Sequence, residues 1–146
     1  MEYYRKNSHS LYDLKIHLVW IRKYRKPVLY GDVGHTLRDI IRRTCEELDV
    51  EILAGNVRLD HVHLLLSYPP SLCVSKLAQK LKGISSRRLL QSNKRLQKAY
   101  WGRHLWALEY FAVSTGNVTD EIIAEYIDRQ DEVERRRKSD NFQVGF

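Results

Sequence analysis

The chain has 146 residues, 43% of them hydrophobic, enough for one domain built on one core. No apolar run reaches the roughly 20 residues that cross a bilayer, and the opening Met1-Glu2-Tyr3-Tyr4-Arg5-Lys6 lacks the apolar stretch of an export signal, so a cytoplasmic setting without a membrane partner is expected. The formal charge of +7 is unevenly spread: residues 1–30 carry seven basic and two acidic side chains, and residues 71–100 carry eight basic and none acidic, a concentration of charge that suits nucleic acid.

In chain order, Leu14–Ile21 alternates early and is rich in β-branched residues, which predicts a strand. Arg22, Lys23, Arg25 and Lys26 follow as a basic loop cluster before Pro27. From Val33 to Leu48, apolar residues at Leu37, Ile40, Ile41, Cys45 and Leu48 keep the helical period. Glu51–Arg58 and His61–Ser67 read as two more strands. Only Leu59-Asp60 separates them, so an antiparallel hairpin is expected, ended by Pro69-Pro70.

Val74, Leu77, Leu81, Ile84 and Leu89 mark a second helix. Lys76, Lys80, Arg87 and Lys94 fall near one side of it, away from the apolar stripe, and could neutralise phosphates together with the loop cluster. Tyr100 and Trp101 beside Arg103 could stack bases. Leu105–Ser114 predicts a long fourth strand, broken by Thr115-Gly116-Asn117. Thr119 can then cap a last helix running to about Lys138. The two cysteines, Cys45 and Cys73, have no metal or redox spacing and read as small buried hydrophobes in a reducing compartment. The order β-α-β-β-α-β plus a C-terminal helix predicts an α+β, ferredoxin-like (RRM-like) antiparallel sheet with helices on one face, forming a single domain over residues 1–146.

The chemistry is concentrated in Asp60-His61-Val62-His63-Leu64-Leu65-Leu66. On a strand, side chains at i and i+2 leave from the same face, so His61 and His63 point to one spot and could grip one cation. Tyr126 and Gln130 lie four apart in the last helix and share a face as well. A paired-imidazole site facing a tyrosine suggests phosphoryl chemistry.

His61-Val62-His63 followed by Tyr126-Ile127-Asp128-Arg129-Gln130 resembles the single-tyrosine transposases of the insertion sequence 200/605 family, within the wider class of His-hydrophobic-His (HUH) endonucleases. The likeness extends over about residues 9–138, from the Leu14–Trp20 strand through the His-Val-His strand to the Tyr-x-x-x-Gln helix. The tyrosine follows the histidines, whereas plasmid relaxases usually place it before them. The resemblance implies that His61, His63 and Gln130 hold a divalent metal, Mg²⁺ or Mn²⁺, and that Tyr126 is the nucleophile. It implies cleavage and rejoining of single-stranded DNA through a 5′-phosphotyrosine, hairpins near the element ends as the binding target, and a homodimer whose tyrosine helix serves the other subunit. Two imidazoles and an amide suit Mn²⁺ better than Mg²⁺, and ligand type alone would also allow zinc. A domesticated relative that processes chromosomal repeat hairpins would carry the same residues. A non-catalytic RRM-type module would show stacked aromatics on Leu14–Ile21 and His61–Ser67, which have no such pattern.

Overall fold

The computed structural model describes residues 4–23, 29, 31–100, 105–114, 119–130 and 143–146. The strands are β1 (Arg5–Lys6), β2 (Leu11–Tyr12), β3 (Lys15–Ile21), β4 (Glu51–Arg58), β5 (His61–Ser67), β6 (Phe111–Val113) and β7 (Gln143–Gly145). The helices are α1 (Asp32–Glu47), α2 (Val74–Ser92), α3 (Lys94–Ala99) and α4 (Asp120–Gln130). Five strands form an antiparallel sheet in the order β6-β3-β5-β4-β7, while β1 and β2 pair separately. With β3 and β5 central, the sheet has ferredoxin-like topology, extended by β7 along the β4 edge.

The period-2 pattern decides which face is which. Ile16, Leu18 and Trp20 of β3 and Val62, Leu64 and Leu66 of β5 enter the main core, together with Leu37 and Ile41 of α1 and Leu77, Leu81 and Leu89 of α2. The intervening residues of β3 face the opposite way, where Val19 and Ile21 form a smaller core with Ile123 and Tyr126 of α4. α1 and α2 therefore cover one face, and α4 lies against the other, which carries His61 and His63.

α1 shows how local chemistry sets an element's limits. Its last turn closes with a bond from the Val50 N–H to the Cys45 carbonyl (2.8 Å) and one from the Asp49 N–H to the Glu46 carbonyl (3.2 Å), with Asp49 at φ 58°. That is the glycine position of a Schellman ending. Arg5 holds the aspartate there, its Nη2 donating to the Asp49 carbonyl and carboxylate at 2.9 and 3.1 Å.

β3, β4, β5 and α1 fall within a residue or two of their expected limits. The long fourth strand does not form: β6 has three residues, and only an isolated Arg22–Trp106 bridge continues it. The Lys82 ammonium takes the carbonyls of Ala107, Leu108 and Glu109 at 2.7, 2.9 and 3.1 Å. Burial pulls the Lys82 pKa down to about 8, with Glu109 acting against it, and the three carbonyls are acceptors an ammonium can satisfy. With its carbonyls turned to Lys82, this segment leaves Leu108 89% exposed. Trp106 is fixed independently, since its indole N–H donates to Ser85 Oγ at 2.9 Å and its ring meets Trp20 edge-on.

Three further expectations change. Lys94 does not continue the second helix: Asn93 interrupts it and caps α3 by accepting the Leu96 N–H at 3.0 Å. Cys45 is buried as expected, but Cys73 is exposed because it stands just before the first turn of α2. Tyr100 is buried in the main core, which removes it as a base-stacking platform. Thr119 caps α4 as expected, its Oγ1 accepting the Ile122 N–H at 3.2 Å. The Thr115-Gly116-Asn117 hinge, Trp101, Arg103 and the continuation of the last helix past Gln130 lie outside the described residues. No helix among the described residues is long and apolar enough to cross a membrane.

Candidate active site

β5 presents His61 and His63 on the face opposite α1 and α2, because Val62 and Leu64 between and beyond them are claimed by the main core. Antiparallel register then places their neighbours. His63 stands opposite Val19 of β3 on one side and Asn56 of β4 on the other, and His61 opposite Ile21. Val19 in turn stands opposite Phe111 of β6. One line across the sheet thus reads Phe111, Val19, His63, Asn56.

The turn before β5 is held firmly. Arg22 Nε donates to the Leu59 carbonyl at 2.6 Å and the Arg22 N–H to the Asp60 carbonyl at 3.4 Å. Asp60 Oδ1 lies 2.8 Å from His61 Nδ1. Against an ionised carboxylate, which only accepts, His61 Nδ1 is the donor, and Nε2 is the ring nitrogen left to face a ligand. This is the usual outer support of a metal-binding histidine. On the same face, His17 Nδ1 is 3.2 Å from His63 Nε2, the two rings tilted by 40°.

Tyr126 is brought to this face by α4. Its ring stacks on Phe111 with centroids 5.2 Å apart and an interplanar angle of 26°, and it is only 6% exposed among Val19, Ile21 and Ile123. Phe111 and His63 lie on the same register line with β3 between them, a separation of roughly 10 Å at the usual strand spacing. Tyr126 and the histidine pair therefore share a face, and Tyr126 packs with Val19 and Ile21, the register partners of His63 and His61. Gln130 is one helical turn beyond Tyr126 and ends the described part of α4, with its side chain outside the described residues.

His61 and His63 suit a divalent ion: both are half-buried, both lie on β5 at the middle of the sheet, and His61 has its Nδ1 held by Asp60. Among the described residues no three His, Cys, Asp or Glu side chains converge on one point. A complete shell at this place needs oxygen donors of another kind, such as an amide, phosphate or water.

The basic residues occupy a different part of the molecule. Lys76, Lys80 and Arg87 are exposed on α2, and Lys94 is exposed at the start of α3, all in the helical layer behind the sheet. Lys23 is half-buried, with its N–H donating to the Leu105 carbonyl at 2.7 Å. Arg25 and Lys26 lie outside the described residues. Arg22 does not join a phosphate-binding loop: it is 4% exposed and committed to the turn that carries Asp60.

Sequence reasoning missed Asp60 and His17. The signal for His17 was a single polar residue in Ile16-His17-Leu18-Val19-Trp20-Ile21, at the same strand parity as Val19 and Ile21. Asp60 directly precedes a motif histidine, but adjacent strand residues point to opposite faces, so only the turn geometry brings its carboxylate to the His61 ring.

The sequence model of the family described as "Transposase IS200 like" matches residues 10–130. The ISDra2 transposase TnpA of Deinococcus radiodurans is 35% identical over 130 residues, covering 89% of this chain and 93% of its own length. The transposase for insertion sequence element IS200 of Salmonella typhimurium is 34% identical over 123 residues, 84% of this chain and 80% of its own length. A crystal structure of a Deinococcus radiodurans R1 protein assigned as a transposase superposes with a TM-score of 0.79 at 34% identity, covering 86% of this chain and 97% of that one. The structure of a REP-associated tyrosine transposase bound to a REP hairpin shares the fold, with a TM-score of 0.50 at 16% identity over 95% of this chain and 80% of that one. A family model that matches residues 10–130, the stretch that carries both histidines and the tyrosine, together with relatives 34–35% identical over most of their length, makes this chain a member of the IS200-like transposase family.

Proposed function

We propose that this transposase cleaves and rejoins single-stranded DNA, with Tyr126 as the nucleophile and His61, His63 and Gln130 as ligands of Mn²⁺ or Mg²⁺. The carrying observation is that His61, His63 and Tyr126 occupy one face of the sheet, separate from the face that packs α1 and α2. A divalent ion bound there would polarise the scissile phosphate and offset its growing negative charge.

A phenol, with a reference pKa of about 10, is a weak nucleophile until its proton leaves. Tyr126 Oη would attack phosphorus, forming an O–P bond as the P–O3′ bond breaks. The phenol proton is lost to solvent, and the leaving 3′ oxygen takes one up. The product is a 5′-phosphotyrosine and a free 3′-hydroxyl. Because the phosphodiester is exchanged rather than hydrolysed, another 3′-hydroxyl can reverse the step without ATP.

The assembly we infer for this step is a homodimer in which α4 serves the second subunit's histidines. Hairpins near the element ends are the DNA we assign to the basic helical layer, with Lys76, Lys80, Arg87 and Lys94 as phosphate contacts and Lys23, Arg25 and Lys26 as further ones.

The test uses single-stranded DNA carrying an element-end hairpin, with Mn²⁺. His61→Ala is expected to lower cleavage by about a hundredfold or more while hairpin binding stays within a few fold of wild type. Loss of binding and cleavage together would mean that the histidines serve the fold and would overturn the assignment.

A further inference from the structure

His17 has no part in the two-histidine motif, yet its Nδ1 lies 3.2 Å from His63 Nε2. We propose that His17 is a positioning residue of the metal site, holding the His63 ring in its ligating orientation. The inference rests on His61 and His63 being the metal ligands.

The backbone fixes where His17 can stand. β3 lies between β5 and β6, and His17 stands opposite Leu65 on one side and Val113 on the other. A residue at the middle of a paired ladder has little freedom of placement. Val19, two residues on, is the register partner of His63, so His17 reaches His63 diagonally, a separation that long side chains span.

For two imidazole nitrogens to meet at this distance, one carries the hydrogen and the other the lone pair. The pairing therefore fixes the His63 ring orientation, and where His63 Nε2 is the donor to His17 Nδ1 the His63 Nδ1 lone pair is left for a ligand. Asp60 does the same for His61, at 2.8 Å. Each motif histidine then has one ring nitrogen held from behind, which is the arrangement that orients metal-binding imidazoles. The supports differ in kind. Asp60 is a carboxylate reached through the turn, and His17 is an imidazole reached across the sheet.

The test is a Mn²⁺ titration of the full chain without DNA, read from the paramagnetic resonance signal of unbound Mn²⁺, with metal-free thermal unfolding run in parallel. His17→Ala and His17→Phe, the second keeping ring volume without the nitrogen, are expected to weaken Mn²⁺ binding by about 10–100-fold and to leave the metal-free melting temperature near wild type. His17→Asn, whose amide offers a donor and an acceptor close to the Nδ1 position, is expected to recover most of the affinity. Wild-type affinity in His17→Phe would overturn the proposal. So would His17→Asn binding as poorly as His17→Ala, or a loss in His17→Ala as complete as in His63→Ala, which would make His17 a ligand. Undiminished Mn²⁺ binding in His63→Ala would instead contradict the metal assignment beneath it.

Discussion

Single residues in this chain differ in reactivity because their surroundings differ. Burial pushes the Cys45 thiol up to about 12. Cys73, exposed at the start of α2, is held below the ordinary thiol value, chiefly by its hydrogen bond with the Ser75 hydroxyl and then by the Lys76 backbone. The thiolate is the reacting form, so a lowered pKa moves the rise of reaction rate with pH to lower pH, and a raised one removes it from the accessible range. A thiol reagent at pH 8 should therefore modify one cysteine rapidly, Cys73, and reach Cys45 only when the protein unfolds. Equal rates for both in the native protein would contradict the burial of Cys45. At this same scale, His61 and His63 were legible because strand periodicity alone puts them on one face. Arg22 was not, because its basic charge says nothing of the Leu59 carbonyl that holds it in the interior.

The elements were legible where each carried its own periodicity. β4 and β5 lie where alternation and the short Leu59-Asp60 turn put them, even though β4 slips register between Ile52 and Ala54. The long fourth strand failed because its apolar residues satisfied the pattern while a lysine on another element took its carbonyls. β7 was missed because three residues that include a glycine carry no period, and they are fixed only by pairing with β4 and by burial of Val144. Two glycines test this packing in opposite directions. At Gly83, inside α2, an added Cβ would meet nothing within 4 Å, so Gly83→Ala should raise stability by about 1 kcal/mol through helix propensity. At Gly55 of β4 the same methyl would come within 2.7 Å of the Leu64 and Phe146 side chains. Leu64 is fully enclosed, so Gly55→Ala should lower stability by about 1–3 kcal/mol through overpacking. Denaturant midpoints measure both, and a stabilising Gly55→Ala would contradict the placement of the C-terminal strand.

For the whole molecule, the sheet separates two sets of side chains. The histidines and Tyr126 face one side, while Lys76, Lys80, Arg87 and Lys94 lie in the helical layer on the other. If the helical layer holds the DNA backbone, its contribution is electrostatic and salt-dependent. The triple substitution Lys76→Gln, Lys80→Gln and Arg87→Gln should weaken hairpin binding and flatten the log–log salt dependence by about one unit for each phosphate that is no longer neutralised. A salt slope identical to wild type would move the DNA to another surface. The ferredoxin-like order and the family were readable from the sequence, since both follow from element order and motif spacing. The stacking of Tyr126 on Phe111, about two strand spacings from His63, was not, because no periodicity encodes how a terminal helix rests on a sheet.

The claim at the centre of this account is that Tyr126 becomes covalently joined to the 5′ phosphate of cleaved DNA. Its most direct test is denaturing electrophoresis after incubation with Mn²⁺ and hairpin-bearing single-stranded DNA labelled at either end. The account predicts a protein–DNA adduct that carries the 3′-terminal label in wild type and is absent in Tyr126→Phe. An adduct formed by Tyr126→Phe, or one that carries the 5′-terminal label, would contradict it.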